Sequence, residues 1–167
     1  MSVELIVLDV DGTLTDGSIL YTDSGSEIKS FNVKDGLGIA SWIRLGKSAA
    51  IVTGRDSSLV ERRAKELKIP FVYQGIKDKK AKVMEIMRKL DIGWNQVAVI
   101  GDDLNDYGMM QEAGLSFAPA DADRLVRQLA DRVLERRGGN GAVREMIDYL
   151  IEREGLQEEM AGLWSLK

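Results

Sequence analysis

The chain is 167 residues long, 44% hydrophobic and 30% charged, with a formal net charge of −4. That composition fits a soluble globular protein and gives no general attraction to nucleic acid or to an anionic membrane surface. The absence of cysteine and histidine excludes disulfides, thiolate metal sites, cysteine nucleophiles and Ser-His-Asp triads, so chemistry must run on carboxylates, Lys, Arg, hydroxyls and backbone amides.

Leu5-Ile6-Val7-Leu8 is an apolar run that ends in Asp9 and Asp11, with Gly12, Thr13 and Asp16-Gly17 just beyond. A continuous apolar run bounded by turn residues predicts a buried strand. Asp9 and Asp11 then stand where the strand opens into a loop, which is where open α/β sheets place their ligands. Carboxylates this close repel each other. A divalent cation offsets the repulsion most directly, and hard oxygen ligands favour magnesium. Residues 18–22 and 27–31 flank Asp23-Ser24-Gly25-Ser26 and predict a β-hairpin over about 18–32, overhanging the acidic pair.

Ala49-Ala50-Ile51-Val52 predicts a second strand, ending in Thr53-Gly54-Arg55. Ser58 with Glu61 has the pattern of a capping box opening a helix to about Lys68, with Pro70 just past its end. Phe71-Val72-Tyr73 predicts a third strand, and residues 80–90 carry apolar residues at a helical period. Val97-Ala98-Val99-Ile100 predicts a fourth strand, ending in Gly101-Asp102-Asp103. A strand at 115–118 and helices at 124–130 and 142–152 follow. The alternation predicts a Rossmann-like parallel sheet with helices on both faces, a small inserted hairpin and no cap domain, as one domain over 1–167. The tail from about 153 to 167 mixes charges with Leu156, Met160, Leu163 and Trp164, and is expected to fray or to dock on a partner. No segment has a signal-peptide or membrane-spanning pattern, so a cytoplasmic location is expected.

In a parallel sheet the ends of these strands share one edge. That edge gathers Asp9 and Asp11, then Thr53, Gly54 and Arg55, then the lysines 77, 79 and 80, then Asp102, Asp103, Asn105 and Asp106. Acidic residues around a metal, with a hydroxyl and a lysine, suit the handling of a phosphate. Asp9 is placed to attack a phosphoryl group and form an aspartyl-phosphate. Asp11, two residues on and facing the same way in extended chain, is placed to protonate the leaving alkoxide and then to activate water. Each segment by itself also fits plain turn or capping chemistry, and Asp103 reads equally as a helix cap.

Asp9-Val10-Asp11-Gly12-Thr13, Thr53-Gly54-Arg55, Lys79 and Gly101-Asp102-Asp103-Leu104-Asn105-Asp106 resemble, in order, the four motifs of the haloacid dehalogenase superfamily of phosphatases. The resemblance implies Asp9 as nucleophile and Asp11 as general acid and base. Mg2+ would be held by Asp9, Asp102 and the backbone carbonyl of Asp11, with Thr53 and Lys79 on the phosphoryl group. Among the three lysines it selects Lys79, which follows Asp78.

Phe31-Asn32-Val33-Lys34-Asp35-Gly36, Tyr73-Gln74-Gly75 and the segment from Gly138 to Glu145 resemble the capless subgroup that acts on sugar-acid phosphates. Lys34, Ala40 and Asn140 stand where that subgroup often carries arginine. The resemblance implies substrate contacts from Asn32, Val33, Lys34, Asp35, Gly36, Gly54, Arg55 and Arg63, besides Asp11, Thr53 and Lys79. Arginine forks suit a sugar carboxylate. The implied substrate is 3-deoxy-D-manno-octulosonate 8-phosphate, a lipopolysaccharide precursor. The alternatives are a nine-carbon sugar-acid 9-phosphate, which Arg55 disfavours, and a noncatalytic regulatory domain. Subgroup members cover their open sites by forming tetramers, so a homotetramer is expected.

Overall fold

The computed structural model describes residues 2–165. Strand β1 (Leu5–Leu8) lies at the centre of a six-stranded sheet, and all four of its residues are buried. Its alternate side chains serve two separate cores: Ile6 and Leu8 point to one face, Leu5 and Val7 to the other. A strand covered on both faces needs this unbroken apolar run. Strands β4 (Ser48–Val52) and β6 (Val97–Ile100) flank it in parallel and split their side chains the same way.

The chain leaves β1 for the hairpin β2 (Leu20–Tyr21) and β3 (Glu27–Ile28), then α1 (Val33–Arg44), β4, α2 (Ser58–Glu66) and the edge strand β5 (Phe71–Tyr73). It returns through α3 (Lys79–Leu90) to β6 on the other side of β1. There α4 (Tyr107–Glu112), β7 (Leu115–Ala118), α5 (Arg124–Leu129) and β8 (Arg132–Val133) complete the sheet. The order is β5-β4-β1-β6-β7-β8, every pairing parallel. Strand order therefore reverses at β1, and the crevice beyond its carboxyl end is the switch point at which such sheets bind ligands. Helices α1, α2 and α6 (Ala142–Glu154) cover one face, with Trp42, Val60 and Met146 in that core. Helices α3, α4 and α5 cover the other, with Ile86, Met109 and Val126. Among the described residues nothing larger than the hairpin and α1 separates β1 from β4, and only α2 separates β4 from β5.

Several local expectations change. Residues 32–36, expected as substrate contacts, open helix α1: Asn32 caps it, Oδ1 accepting the N–H groups of Lys34 at 2.9 Å and Asp35 at 3.2 Å. Gly36 and Gly38 weaken the helical signal of this segment, but they let α1 approach its neighbours closely. A Cβ on Gly38 would lie 2.9 Å from the Arg144 side chain on α6. Ser57, one residue before the predicted cap, caps α2 by accepting the Leu59 N–H. The hairpin pairs over two residues a side rather than the predicted longer ladder. The tail forms α7 (Gln157–Gly162) and docks on the chain's own α1. There Trp164 Nε1 donates to Ser41 Oγ at 3.0 Å, Arg44 donates to the Leu163 carbonyl at 2.7 Å, and the guanidinium stacks 4.4 Å from the Trp164 ring. Residues 166–167 of the predicted tail lie outside the described residues.

Asp35 joins α1 to α6. It is buried, and its Oδ1 accepts the Arg144 N–H at 2.8 Å, capping α6 from a neighbouring helix. Burial, opposed by the Arg144 and Gly141 N–H groups, holds this carboxyl above the usual carboxylate range. Asp35→Ala orphans a helical N–H and should cost about 1–2 kcal/mol in urea unfolding. Asp35→Asn keeps the acceptor without the buried charge and should unfold at the wild-type midpoint or above it.

Candidate active site

Asp9 is the first residue past β1 and is 4% exposed. Its Oδ1 accepts from Lys79 Nζ at 2.7 Å. Lys79 is the first residue of α3, whose N-cap Asp78 accepts the Ala81 N–H, so the cap geometry launches the lysine into the crevice. The same ammonium donates to Asp106 Oδ1 at 2.6 Å. Asp106 is fully buried, and its Oδ2 accepts the N–H groups of Asp102 at 2.9 Å and Asp103 at 3.3 Å. Gly101 makes this fold-back possible, because a Cβ there would sit 2.4 Å from Asp106 Cβ. Asp102 Oδ1 in turn accepts from the Thr13 hydroxyl at 3.1 Å. Gly12 has φ +92° and faces Asp102 Oδ2 so closely that a Cβ would lie 2.0 Å from it. The Gly-Thr of the first segment is thus fitted to the aspartate of the fourth.

Asp9, Asp102 and Asp106 each offer an oxygen within 4.8 Å of the others. Burial first, then the charges of Asp9 and Asp106, pushes Asp102 up to about 8. Burial first, then Asp9, pushes Asp106 up to about 6, with Lys79 opposing. Burial works against the Lys79 ammonium, but Asp9 and Asp106 outweigh it and raise its pKa, so it stays charged. One ammonium leaves the cluster short of positive charge, and an all-oxygen donor set of this kind suits a small divalent cation. Both Asp106 oxygens are already engaged. Asp9 and Asp102 each accept one side-chain bond through Oδ1, from Lys79 and Thr13, which leaves Oδ2 of each for a cation.

Asp11 lies in a different environment. Its Oδ1 pairs with Lys29 Nζ at 2.5 Å, and Arg55 Nη1 lies 3.7 Å away. Glu27 Oε1 completes the set, 3.1 Å from Lys29 and 3.4 Å from Arg55 Nη2. Arg55 Nη1 is buried without a hydrogen-bond partner. From Lys29 a groove of about 380 Å³ runs past Phe31, Val33, Leu59, Arg62, Arg63 and Glu66. Thr53 is the first residue past β4 and is buried; its N–H donates to the Tyr73 carbonyl, and a Cβ on the following Gly54 would lie 3.6 Å from Asn105 Nδ2, an ordinary contact distance.

The predicted substrate segment 32–36 is divided. Val33 is 79% exposed and lines the groove. Lys34 is exposed, Asn32 is engaged as a helix cap, and Asp35 is turned into the packing against α6. Gly36 is buried against Arg63, where a Cβ would lie 2.2 Å from Nη2. Arg63 stands over the Phe31 ring at 5.9 Å and pairs with Glu66 at 3.4 Å.

The sequence profile of haloacid dehalogenase-like hydrolases matches residues 71–147. The 3-deoxy-D-manno-octulosonate 8-phosphate phosphatase KdsC of Escherichia coli strain K12 is 43% identical over 161 residues, 96% of this chain and 86% of that protein. The chain belongs to the haloacid dehalogenase-like hydrolase family. Two solved family structures superpose closely. The Moraxella catarrhalis 3-deoxy-D-manno-octulosonate 8-phosphate phosphatase, in complex with magnesium, phosphate and KDO, is 37% identical with a TM-score of 0.94, covering 98% of this chain and 94% of that one. The cobalt-bound Haemophilus influenzae phosphatase is 38% identical with a TM-score of 0.88, covering 92% of this chain and 90% of that one.

Two residues of this family member's site were not singled out from sequence, Lys29 and Glu27. Their signal was present: two opposite charges two residues apart on a hairpin strand share a face, and that face overhangs the acidic pair. Asp106 was noted only as part of its motif, since nothing local marks it as the partner of Lys79.

The raised Asp102 fixes a linkage. A group held at about 8 carries a proton below that pH, and the proton must leave before an oxygen can ligate a cation. Mg2+ affinity should therefore rise with pH up to about 8, with up to about one proton released per ion near neutrality. Calorimetry in buffers of different ionisation enthalpy measures that proton, and Asp102→Asn should abolish it.

Proposed function

We propose that this chain is a magnesium-dependent phosphatase that hydrolyses 3-deoxy-D-manno-octulosonate 8-phosphate to the free sugar acid and phosphate. The observation that carries this is the unlike placement of two neighbouring carboxylates. Asp9 lies in the buried acidic cluster beside Lys79, whereas Asp11 turns to Lys29 at the mouth of the groove.

In this reading Asp9 attacks phosphorus and forms an aspartyl-phosphate while the ester oxygen leaves. Lys79 lowers the repulsion between Asp9 and the dianionic ester and, with Thr53, stabilises charge on the phosphoryl oxygens. Asp11 gives its proton to the leaving alkoxide and then takes one from the water that cleaves the intermediate. Lys29 and Arg55 hold Asp11 at the edge between cluster and groove. Asp9, Asp102 and the Asp11 carbonyl would hold magnesium, which when bound would supply positive charge to offset the repulsion between the carboxylates and the phosphoryl group. Asp106 positions Lys79 and the Asp102–Asp103 turn. The sugar acid lies in the groove, with Arg55 and Arg63 on its carboxylate and Val33 and Phe31 against its carbon chain.

The relatives named as 3-deoxy-D-manno-octulosonate 8-phosphate phosphatases support the substrate, and through it a role in making a lipopolysaccharide precursor. We take the chain to act as one domain. No described helix is long and apolar enough to cross a membrane, in keeping with work in the cytoplasm. Ile19, Leu20, Tyr21 and Ile28 leave the hairpin with exposed apolar side chains, and we assign this surface to a homotetramer.

Asp9→Asn should lower kcat at least about a thousandfold with the circular dichroism spectrum unchanged. In the same assay kcat/KM should favour the eight-carbon substrate over a nine-carbon sugar-acid 9-phosphate by about tenfold or more. Wild-type turnover by the Asn variant, or a preference for the longer sugar, would overturn the respective half of the reading. For the assembly, Leu20→Asp with Ile28→Asp should shift sedimentation from tetramer toward smaller species; a wild-type monomer at full activity would refute it.

A further inference from the structure

Gly138 and Gly139 are pressed against the loop that follows β1. A Cβ on Gly138 would lie 1.8 Å from the Gly12 carbonyl oxygen and 2.5 Å from its carbon. A Cβ on Gly139 would lie 2.4 Å from both the Thr15 carbonyl carbon and the Asp16 nitrogen. These neighbours are backbone, so they cannot swing aside as a flexible side chain would. The two glycines are not equivalent. Gly139 has φ +71°, so its conformation alone favours glycine. Gly138 has no positive φ, and only the closeness of the Gly12 peptide demands glycine there.

The turn is held on both sides. Its Gly139 N–H donates to the Thr13 carbonyl at 2.9 Å. Its Gly138 N–H donates to Asp121 Oδ1 at 2.9 Å. Just before it, both oxygens of Glu145 on α6 accept the N–H groups of Glu135 and Arg136, at 3.0 and 2.9 Å. The loop it touches joins Asp11 to Thr13, and the Thr13 hydroxyl holds Asp102.

We infer that Gly138 is a positioning residue: the Gly138–Gly139 turn, anchored by Asp121 and Glu145, is a rigid stop that sets where the Asp11–Thr13 backbone lies relative to Asp102. The catalytic part of this inference rests on the roles proposed for Asp9 and Asp11; the structural part does not. Alanine at 138 meets no positive φ, but its Cβ can be seated only if the turn and the Gly12 peptide move apart.

The test pairs activity with a readout that needs none. Gly138→Ala should lower kcat about tenfold or more while KM stays within about twofold, since a shift of the reacting groups costs rate before it costs binding. Should Gly138→Ala fail to fold, Asp121→Ala and Asp121→Asn carry the test. Loss of the acceptor should lower kcat severalfold with KM kept, and Asn, which can still accept the Gly138 N–H, should restore it. In parallel, hydrogen exchange of a peptide spanning residues 10–17 should quicken in Asp121→Ala and return to the wild-type rate in Asp121→Asn. Folded Gly138→Ala with wild-type kcat would overturn the inference. So would Asp121→Ala with unchanged exchange over 10–17, or equal kcat losses in Asp121→Ala and Asp121→Asn. If wild-type protein turns over no sugar-acid phosphate, the proposed function fails, and the exchange result still decides whether the turn positions the loop.

Discussion

Asp9, Asp102 and Asp106 converge beyond the ends of β1 and β6, and one buried ammonium, that of Lys79, lies 2.7 Å from Asp9 and 2.6 Å from Asp106. Carboxylates at this depth would take up protons or push the strand ends apart if no cation met them. The lysine offsets part of the repulsion and leaves the remainder in place. Burial first, and then that remainder, raises Asp102, and the remainder is a charge deficit of the kind a divalent ion fills. Folding and cation binding therefore draw on the same imbalance. A cluster fully neutralised by protein cations would be steadier and would have no use for the ion.

Backbone closeness holds that cluster to its geometry. Gly12 lies against Asp102, Gly101 against Asp106 and Gly138 against Gly12, and at each contact a single Cβ would have no room. These approaches join three loops from one edge of the sheet into a single unit. Side-chain bonds then run along it, from Asp121 to Gly138, from Gly139 to Thr13 and from Thr13 to Asp102. The switch point at β1 provides the crevice, and the glycines determine how tightly its walls close.

The hairpin solves a separate problem. Without a cap domain the crevice opens to solvent, and β3 leads to Lys29, which reaches over and pairs with Asp11. The side chain of Lys29 is 2% exposed although the hairpin around it is largely exposed, and its ammonium is held between Asp11 and Glu27. One short insertion thus separates the environments of Asp9 and Asp11, which are two residues apart in the chain.

Much of this was legible from the residues alone. The unbroken apolar runs at 5–8 and 97–100 required strands covered on both faces, and the parallel alternation brought Asp9, Thr53, Lys79 and Asp102 to one edge. Residue type and strand position are local properties, and they were enough to determine the fold class and the composition of the site. Helix α1 was hidden because its glycines lower helical propensity, and those same glycines are what its packing requires. The tertiary structure alone decided that Asp106 partners Lys79, that Lys29 takes Asp11, that Asp35 caps α6 instead of facing the groove, and that Gly138 touches Gly12. The reason is physical: these contacts join segments far apart in the chain, 109 residues in the case of Asp35 and Arg144 and more for Gly12 and Gly138. No periodicity within either segment encodes the distance between them; it is set only when both are packed on the same sheet.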